Sequence, residues 1–218
     1  VKDTLNNSSG QTLFYFGNQD TTNGGHIEVR LIQTNGNKRI RLRYGSLNNM
    51  IQLQSPNASN VFPTNQWNHV MITYDGNTTG ASSGSLSSYY SRFKIFINGV
   101  QQTTNNSHSN YGYTGNIAAQ NFRFGRYASG NYPKDVLFNQ MAIWDSDQSS
   151  NISGIYNGGA TQDLTSLTTV DGTMNTAYLP PAHYYEVENS TSTISDINGT
   201  AHMVGYNFSN SDIVTDAP

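Results

Sequence analysis

Cysteine is absent from the 218-residue chain, which excludes a disulfide framework and any zinc–thiolate site. It also suits assembly in a reducing cell, although it fixes no compartment. Charge is scarce: Asp, Glu, Lys and Arg together make up 11%, against roughly a quarter in an ordinary soluble domain. Three of the acids are glutamates, Glu28, Glu186 and Glu188. The formal net charge of −3 gives no global field that would draw the chain to nucleic acid or an anionic membrane, so neither is expected as a partner. No apolar run is long enough to cross a bilayer and none reads as a signal peptide. Val at position 1 reads as a chain processed, truncated or cut from a longer polypeptide. His26, His69, His108, His183 and His202 are scattered with no HExxH spacing, and neither a G-x-S-x-G elbow nor a phosphate-cradling glycine loop is present, so zinc hydrolase, serine esterase and nucleotide chemistry find no support.

What is abundant is Gly, Asn, Ser and Thr, with aromatics at 11%, the composition of many short strands joined by polar turns. At 35% hydrophobic content the chain can bury one good core, and one all-β sandwich domain spanning 1–218 is expected. Residues 66–100 organise the reading. QWNHVMITYDG places Val70, Ile72 and Tyr74 on one face, and RFKIFINGV places Phe93, Ile95 and Ile97 on one face, the period-two pattern of half-buried strands. Trp67, Val70, Phe93 and Ile95 are the expected core. Asn98-Gly99 predicts a tight turn straight into a further strand.

Before that stretch, TLFYF at 12–16 reads as a buried strand. Residues 26–33 alternate Ile27, Val29 and Leu31 against His26, Glu28 and Arg30. After Thr34-Asn35-Gly36-Asn37 the pattern resumes with Ile40, Leu42 and Tyr44 opposite Arg39, Arg41 and Arg43, which predicts a β-hairpin. Its arginine row has two readings: recognition of sulfate, phosphate or carboxylate groups, or a solvated charged face that discourages aggregation. Residues 50–54 add a strand.

Three loops are rich in tyrosine. Residues 75–92 hold Tyr89 and Tyr90; 103–116 hold His108, Tyr111 and Tyr113; 127–135 hold Tyr127 and Tyr132. Tyrosine faces with nearby Asn and Asp suit sugar rings and hydroxyls, and equally suit loops packed down on their own rings. Between the last two loops, 122–125 form a short strand. Residues 137–144 (LFNQMAIW) are mostly apolar and predict a central strand. Asp145-Ser146-Asp147 then caps a short helix carrying Ile152, Ile155 and Tyr156 and stopped by Gly158-Gly159.

The order WNHV, ITYDG, FINGV, FRFGR, MAIW and a short helix ending IYNGG resembles the laminin G-like or pentraxin-like branch of the concanavalin A-like jelly rolls, most closely between 66 and 159. The narrower likeness is to modules of bacteriophage virion and tail-fibre proteins and of large bacterial surface proteins. The resemblance implies a two-sheet antiparallel jelly-roll sandwich with ligands at rim loops or on a concave face. It also implies calcium as a possible cofactor, with Asp75, Asn77 and Asp135 in the loops where oxygen ligands would lie. Asn139-Gln140 stands where many members carry an acidic pair. The segments HYYEVEN and SDINGTAHMVGYN resemble the opening strands of such a module, so residues 160–218 are expected to close the sandwich in permuted order, the alternative being the start of a tandem module.

Glycoside hydrolases of this superfamily need two carboxylates flanking the scissile bond. Glu186 and Glu188 share a strand face, but the Glu-x-Asp-x-Glu patterns are absent, so no enzyme is expected. The expectation is a non-catalytic recognition domain at a virion surface or outside a cell, of tail-fibre or head-appendage type. It would bind host-surface carbohydrate through Tyr89, Tyr90, Tyr111, Tyr113, Tyr127 and Tyr132, as a homo-oligomer, a trimer if part of a fibre. The alternative is a structural decoration or spacer domain contacting neighbouring virion subunits without binding glycan.

Overall fold

Alternation in the sequence becomes strand after strand in the computed structural model, which describes residues 1–4, 10–18, 25–46, 50–77, 89–109, 117, 122–125, 136–167, 178–187 and 193–204. The contacts divide the chain into two units, Lys2–Val136 and Val1 with Leu137–Pro218. The first unit holds β1 (Lys2–Asp3), β2 (Gln11–Gly17), β3 (His26–Thr34), β4 (Asn37–Gly45), β5 (Met50–Gln54), β6 (Val70–Tyr74), β7 (Phe93–Ile97), β8 (Val100–Gln101), β9 (Asn105–Ser109) and β10 (Arg123–Phe124).

Asn35 (φ 52°) and Gly36 (φ 81°) both take positive φ, as a two-residue hairpin turn of right-handed strand twist requires. The turn sets β3 against β4 with Leu31 opposite Ile40, Val29 opposite Leu42 and Glu28 opposite Arg43. β2 to β5 continue as a meander, β10 adds outside β2 and β9 outside β5, giving a six-stranded antiparallel sheet. One face of it is core: Leu31, Ile40, Leu42, Ile51 and Leu53 are buried, each contributing about 1.5–3 kcal/mol by leaving water. β6, β7 and β8 form a second, three-stranded sheet that meets this face, with the Tyr44 ring 5.3 Å from Phe93 and 6.4 Å from Tyr74. This is the expected all-β sandwich.

The Asn98-Gly99 turn forms as expected, with φ of 51° and 76°, and Ile97 faces Val100 across it. Two strand readings change. Trp67 and Val70 are half-buried while Phe93 and Ile95 are buried. The reason is position, because β6 is the edge of its sheet and β7 is central. The stretch Asn105–Ser109, expected as loop, is a strand paired to β5 from Gln54 opposite Asn105 to Met50 opposite Ser109. Its sequence, NNSHS, has no apolar alternation, and the pairing satisfies backbone groups along the β5 edge.

β11 (Val136–Leu137) marks the change of unit. The second unit holds β12 (Gln140–Ile143), α1 (Ile152–Tyr156), β13 (His183–Glu186), β14 (Thr193–Ile194) and β15 (Met203–Val204). The central strand expected over 137–144 is interrupted at Phe138 and Asn139, and β12 belongs to a two-stranded sheet with β13. β14 pairs with β15. The helix forms, with ends other than those expected. Asp147 Oδ1 accepts the Ser149 N–H at 2.9 Å in a 3-10 turn, Ser149–Asn151, that precedes α1. α1 itself begins after Asn151 with no side-chain cap and is ended by Asn157 in the left-handed region, ahead of Gly158-Gly159. Asp196, with a fully buried side chain, ties the C-terminal segment together. It accepts from the backbone N–H of Tyr184 (3.0 Å), Gly199 (3.1 Å) and Ala201 (3.1 Å), and lies 2.7 Å from His183 Nδ1. Burial alone would raise its pKa, but the contacts with His183, Tyr184 and Ala201 outweigh it and hold the group below the usual carboxylate range.

Candidate functional site

Alternation along β3 and β4 sends Leu and Ile into the core and Glu28, Arg30, Arg41 and Arg43 to the other face of the six-stranded sheet. The antiparallel register then sets Arg30 opposite Arg41 and Glu28 opposite Arg43. Glu28, with 1% of its side chain exposed, sits among three guanidiniums: Arg30 at 3.6 Å, Arg41 at 3.5 Å and Arg43 at 3.8 Å, whose side chains keep 19%, 14% and 25% of their surface. The carboxylate is therefore covered by arginines whose outer edges reach solvent. Arg43 Nε donates to Gln52 Oε1 (2.9 Å) on β5, and Gln52 Nε2 to Ser107 Oγ (3.2 Å) on β9, so a polar ladder crosses three strands. Arg30 is tied further by a bond to the Gly10 carbonyl (3.0 Å). Burial first, then the neighbouring positive charge of Arg43, lowers Arg41 to about 10, with Glu28 pulling the other way. The row is thus not a freely solvated face: all three guanidiniums gather on the Glu28 carboxylate.

An open groove of about 400 Å³ lies where the β7–β8 hairpin passes the β9 edge, lined among others by Tyr90, Lys94, Gln101, Gln102, Thr103 and Asn106. It offers the half-buried Tyr90 ring with Phe93 in its wall, an ammonium, and several amides and hydroxyls. Gln102 is fixed there, its backbone N–H bonded to the Ile95 carbonyl at 2.8 Å and its Nε2 to the Val100 carbonyl at 2.9 Å.

The adjacent tyrosines part company. Tyr90 is half-buried in the groove, with its hydroxyl pKa raised by burial. Tyr89 is 3% exposed with the Arg92 guanidinium 4.5 Å from its ring centre, so its ring serves packing and presents no face to a ligand. Tyr111, Tyr113, Tyr127, Tyr132 and Asp135 lie outside the described residues.

Asp75 and Asn77, two positions apart, are exposed, and one oxygen of each is engaged. Asp75 Oδ1 accepts the Asn77 N–H at 2.9 Å. The Asn77 carbonyl accepts from Arg92 Nη1 at 3.0 Å and from the Tyr74 hydroxyl. The guanidinium on the Asn77 carbonyl repels a second cation there, which makes that oxygen a poor calcium ligand. Among the described residues, no cluster of three or more His, Asp or Glu is placed to hold a metal ion.

Glu186, on β13, accepts from the Tyr184 hydroxyl at 2.6 Å and from Gln140 Nε2 at 3.1 Å. Burial first, then this hydrogen bond, pushes the Tyr184 hydroxyl pKa well up. Gln140 is directly opposite Glu186, which gives a physical reason for an amide where an acid was expected: a carboxylate at 140 would face the carboxylate of Glu186.

The central role of Glu28 and the contributions of Gln52 and Ser107 were not anticipated from the sequence. Glu28 could have been found by counting outward equally from Asn35-Gly36, which brings it opposite Arg43. Nothing in NNSHS announces Ser107.

A laminin G-type family model, described as the concanavalin A-like lectin/glucanases superfamily, matches residues 3–151. No curated protein and no solved structure matches the chain.

Proposed function

The chain belongs to the concanavalin A-like lectin/glucanases superfamily as a laminin G-type domain, and from that premise we propose that it is a non-catalytic recognition domain binding host-surface carbohydrate on a virion or cell-surface assembly. The observation that carries this reading is the groove holding Tyr90 beside Gln101, Gln102, Thr103 and Asn106. A half-buried ring offers a flat apolar surface to a sugar face, while amides and hydroxyls offer directed bonds to its hydroxyl groups. The non-catalytic part is supported by the two described glutamates. Glu28 is committed to three arginines and Glu186 to Tyr184 and Gln140, whereas glycoside hydrolysis needs two carboxylates free to face one glycosidic bond. The virion setting is carried by the order of motifs between 66 and 159.

A glycan array followed by titration calorimetry tests the reading. Tyr90→Ala should weaken binding of the best array ligand about tenfold, the size expected for one lost aromatic contact, with the melting temperature little changed. Tyr89→Ala should instead lower the melting temperature, because it empties a buried position. Absence of binding to any glycan at millimolar concentration would overturn the proposal and favour a spacer domain that contacts protein neighbours.

A further inference from the structure

A lysine stands where the alternation of β4 calls for an apolar side chain. Period two along the strand puts Lys38 on the core face with Ile40 and Leu42, and 2% of its side chain is exposed. Its ammonium ends 2.9 Å from Oδ2 of Asp3, whose side chain is 1% exposed. Asp3 belongs to a strand of two residues, and its backbone is tied on both sides. The Asp3 carbonyl accepts the Asn65 N–H at 2.7 Å, and Lys2 forms a β-bridge with Trp67. β4 is fixed in turn near Lys38, where the Ile40 N–H bonds to Ser55 Oγ at 3.0 Å and the Ser55 N–H to the Ile40 carbonyl at 2.9 Å. An amine and a carboxyl group are thus held in contact, away from water, on two anchored strands.

As an ion pair this arrangement is incomplete. The desolvation of two charges is offset only when hydrogen bonds complete the pair, and both carboxylate oxygens of Asp3 are buried without a hydrogen-bond partner among the described residues. A neutral link would remove both charges. We propose that Lys38 and Asp3 condense in the folded chain to an intramolecular amide, a covalent staple between β1 and β4. One proton passes from Nζ to Oδ2, which leaves a neutral amine facing a neutral carboxylic acid. The amine lone pair attacks Cγ and the Nζ–Cγ bond forms. A second proton moves from nitrogen to the departing oxygen, and the Cγ–O bond breaks with release of one water. No oxidant, reductant or other reagent is consumed. Two effects favour the product. Fixed contact replaces encounter, an effective concentration on the order of 10⁵ M or more for well-oriented groups, and the exclusion of water from the pair opposes hydrolysis of the amide. In a chain without cysteine, such a bond would take the part of a disulfide, closing a loop of the unfolded chain. The inference is independent of the carbohydrate reading.

Mass spectrometry of the full chain, purified folded and incubated at neutral pH, tests the proposal. The chain should be lighter than its sequence by one water. Tryptic digestion should leave the bond after Lys38 uncut and yield a branched peptide that joins the segment beginning at Asp3 to the segment containing Lys38. Lys38→Arg keeps the positive charge but carries a guanidinium that does not deprotonate, so it should retain its full mass and melt about 10 °C lower. Should that variant not fold, the mass and the peptide map of the unaltered chain decide by themselves. A folded, unaltered chain that keeps its full mass after prolonged incubation overturns the proposal and leaves Lys38 and Asp3 as an ion pair. A missing water that maps to Asp75-Gly76 or Asp171-Gly172 overturns it equally, because ring closure at an aspartyl-glycyl pair loses the same mass.

Discussion

At the scale of single residues, Glu28 has an importance out of proportion to its one charge. Removing the charge while keeping the shape, as in Glu28→Gln, leaves Arg30, Arg41 and Arg43 repelling one another across a partly dry sheet face. Breaking a buried ionic cluster from one side costs about 3–5 kcal/mol. Urea denaturation should therefore show Glu28→Gln destabilised by about 3 kcal/mol or more. Arg43→Gln, which leaves two arginines on the carboxylate and removes a repulsion, should lose much less. Equal losses in the two variants would mean that the cluster is not organised around the acid. Tyr89 and Tyr90 make the same point about environment: neighbours in sequence and identical in chemistry, one is sealed beneath Arg92 and the other lines a groove.

At the scale of elements, the motifs WNHV and FINGV turn out to be two halves of one device. Asn98 takes φ of 51° at the β7–β8 turn. Its Oδ1 accepts the His69 N–H at 2.9 Å and its Nδ2 donates to Asn68 Oδ1 at 3.0 Å. Asn68, 2% exposed, donates in turn to the carbonyls of Pro63 (3.0 Å) and Gln66 (2.9 Å). The turn is thereby fastened to the chain entering β6. Asn98→Gly keeps the left-handed backbone and removes the side-chain bonds, so a loss of about 1–2 kcal/mol is expected. Asn98→Ala loses the bonds and adds left-handed strain, for about 1 kcal/mol more. Thermal or urea unfolding that ranked the two variants the other way would overturn this account. Asn-Gly signals and alternation made β2 to β8 and α1 legible. β9 was not legible, because a strand that adds to an existing edge is held by backbone bonds and needs no apolar face of its own. The continuous strand expected over 137–144 shows the opposite error, in which an apolar run suggested a central strand and hid the break before Gln140.

At the scale of the whole molecule, stability should depend on pH through groups held away from their ordinary titration. Burial lowers His69 from 6.5 to about 4, so the folded chain resists a proton that the unfolded chain accepts. Between these values the unfolded state binds more protons, and stability rises with pH. The melting temperature should fall as pH drops from about 6.5 towards 4, and this contribution should level off below that. His69→Gln should flatten that window. A slope unchanged in the variant would assign the effect elsewhere. Asp196 acts lower: its contacts stabilise the fold while it is ionised, and that contribution is lost as pH falls through a value held below 3.8.

The sequence by itself determined the class of the fold, the main hairpins, the presence of the short helix and the family resemblance, because alternation and Asn-Gly turns are written in the local backbone preferences of a few consecutive residues. It also carried, unread, the register that sets Glu28 opposite Arg43. Only the tertiary structure decided which tyrosine lies in a groove, that the Asn77 carbonyl is taken by Arg92, and that β9 brings Ser107 to the end of the arginine ladder. Those outcomes depend on burial and on partners far apart in the chain: Ser107 meets Gln52 across 55 positions. Local periodicity assigns a residue to a face, and the packing of distant segments decides what that face meets.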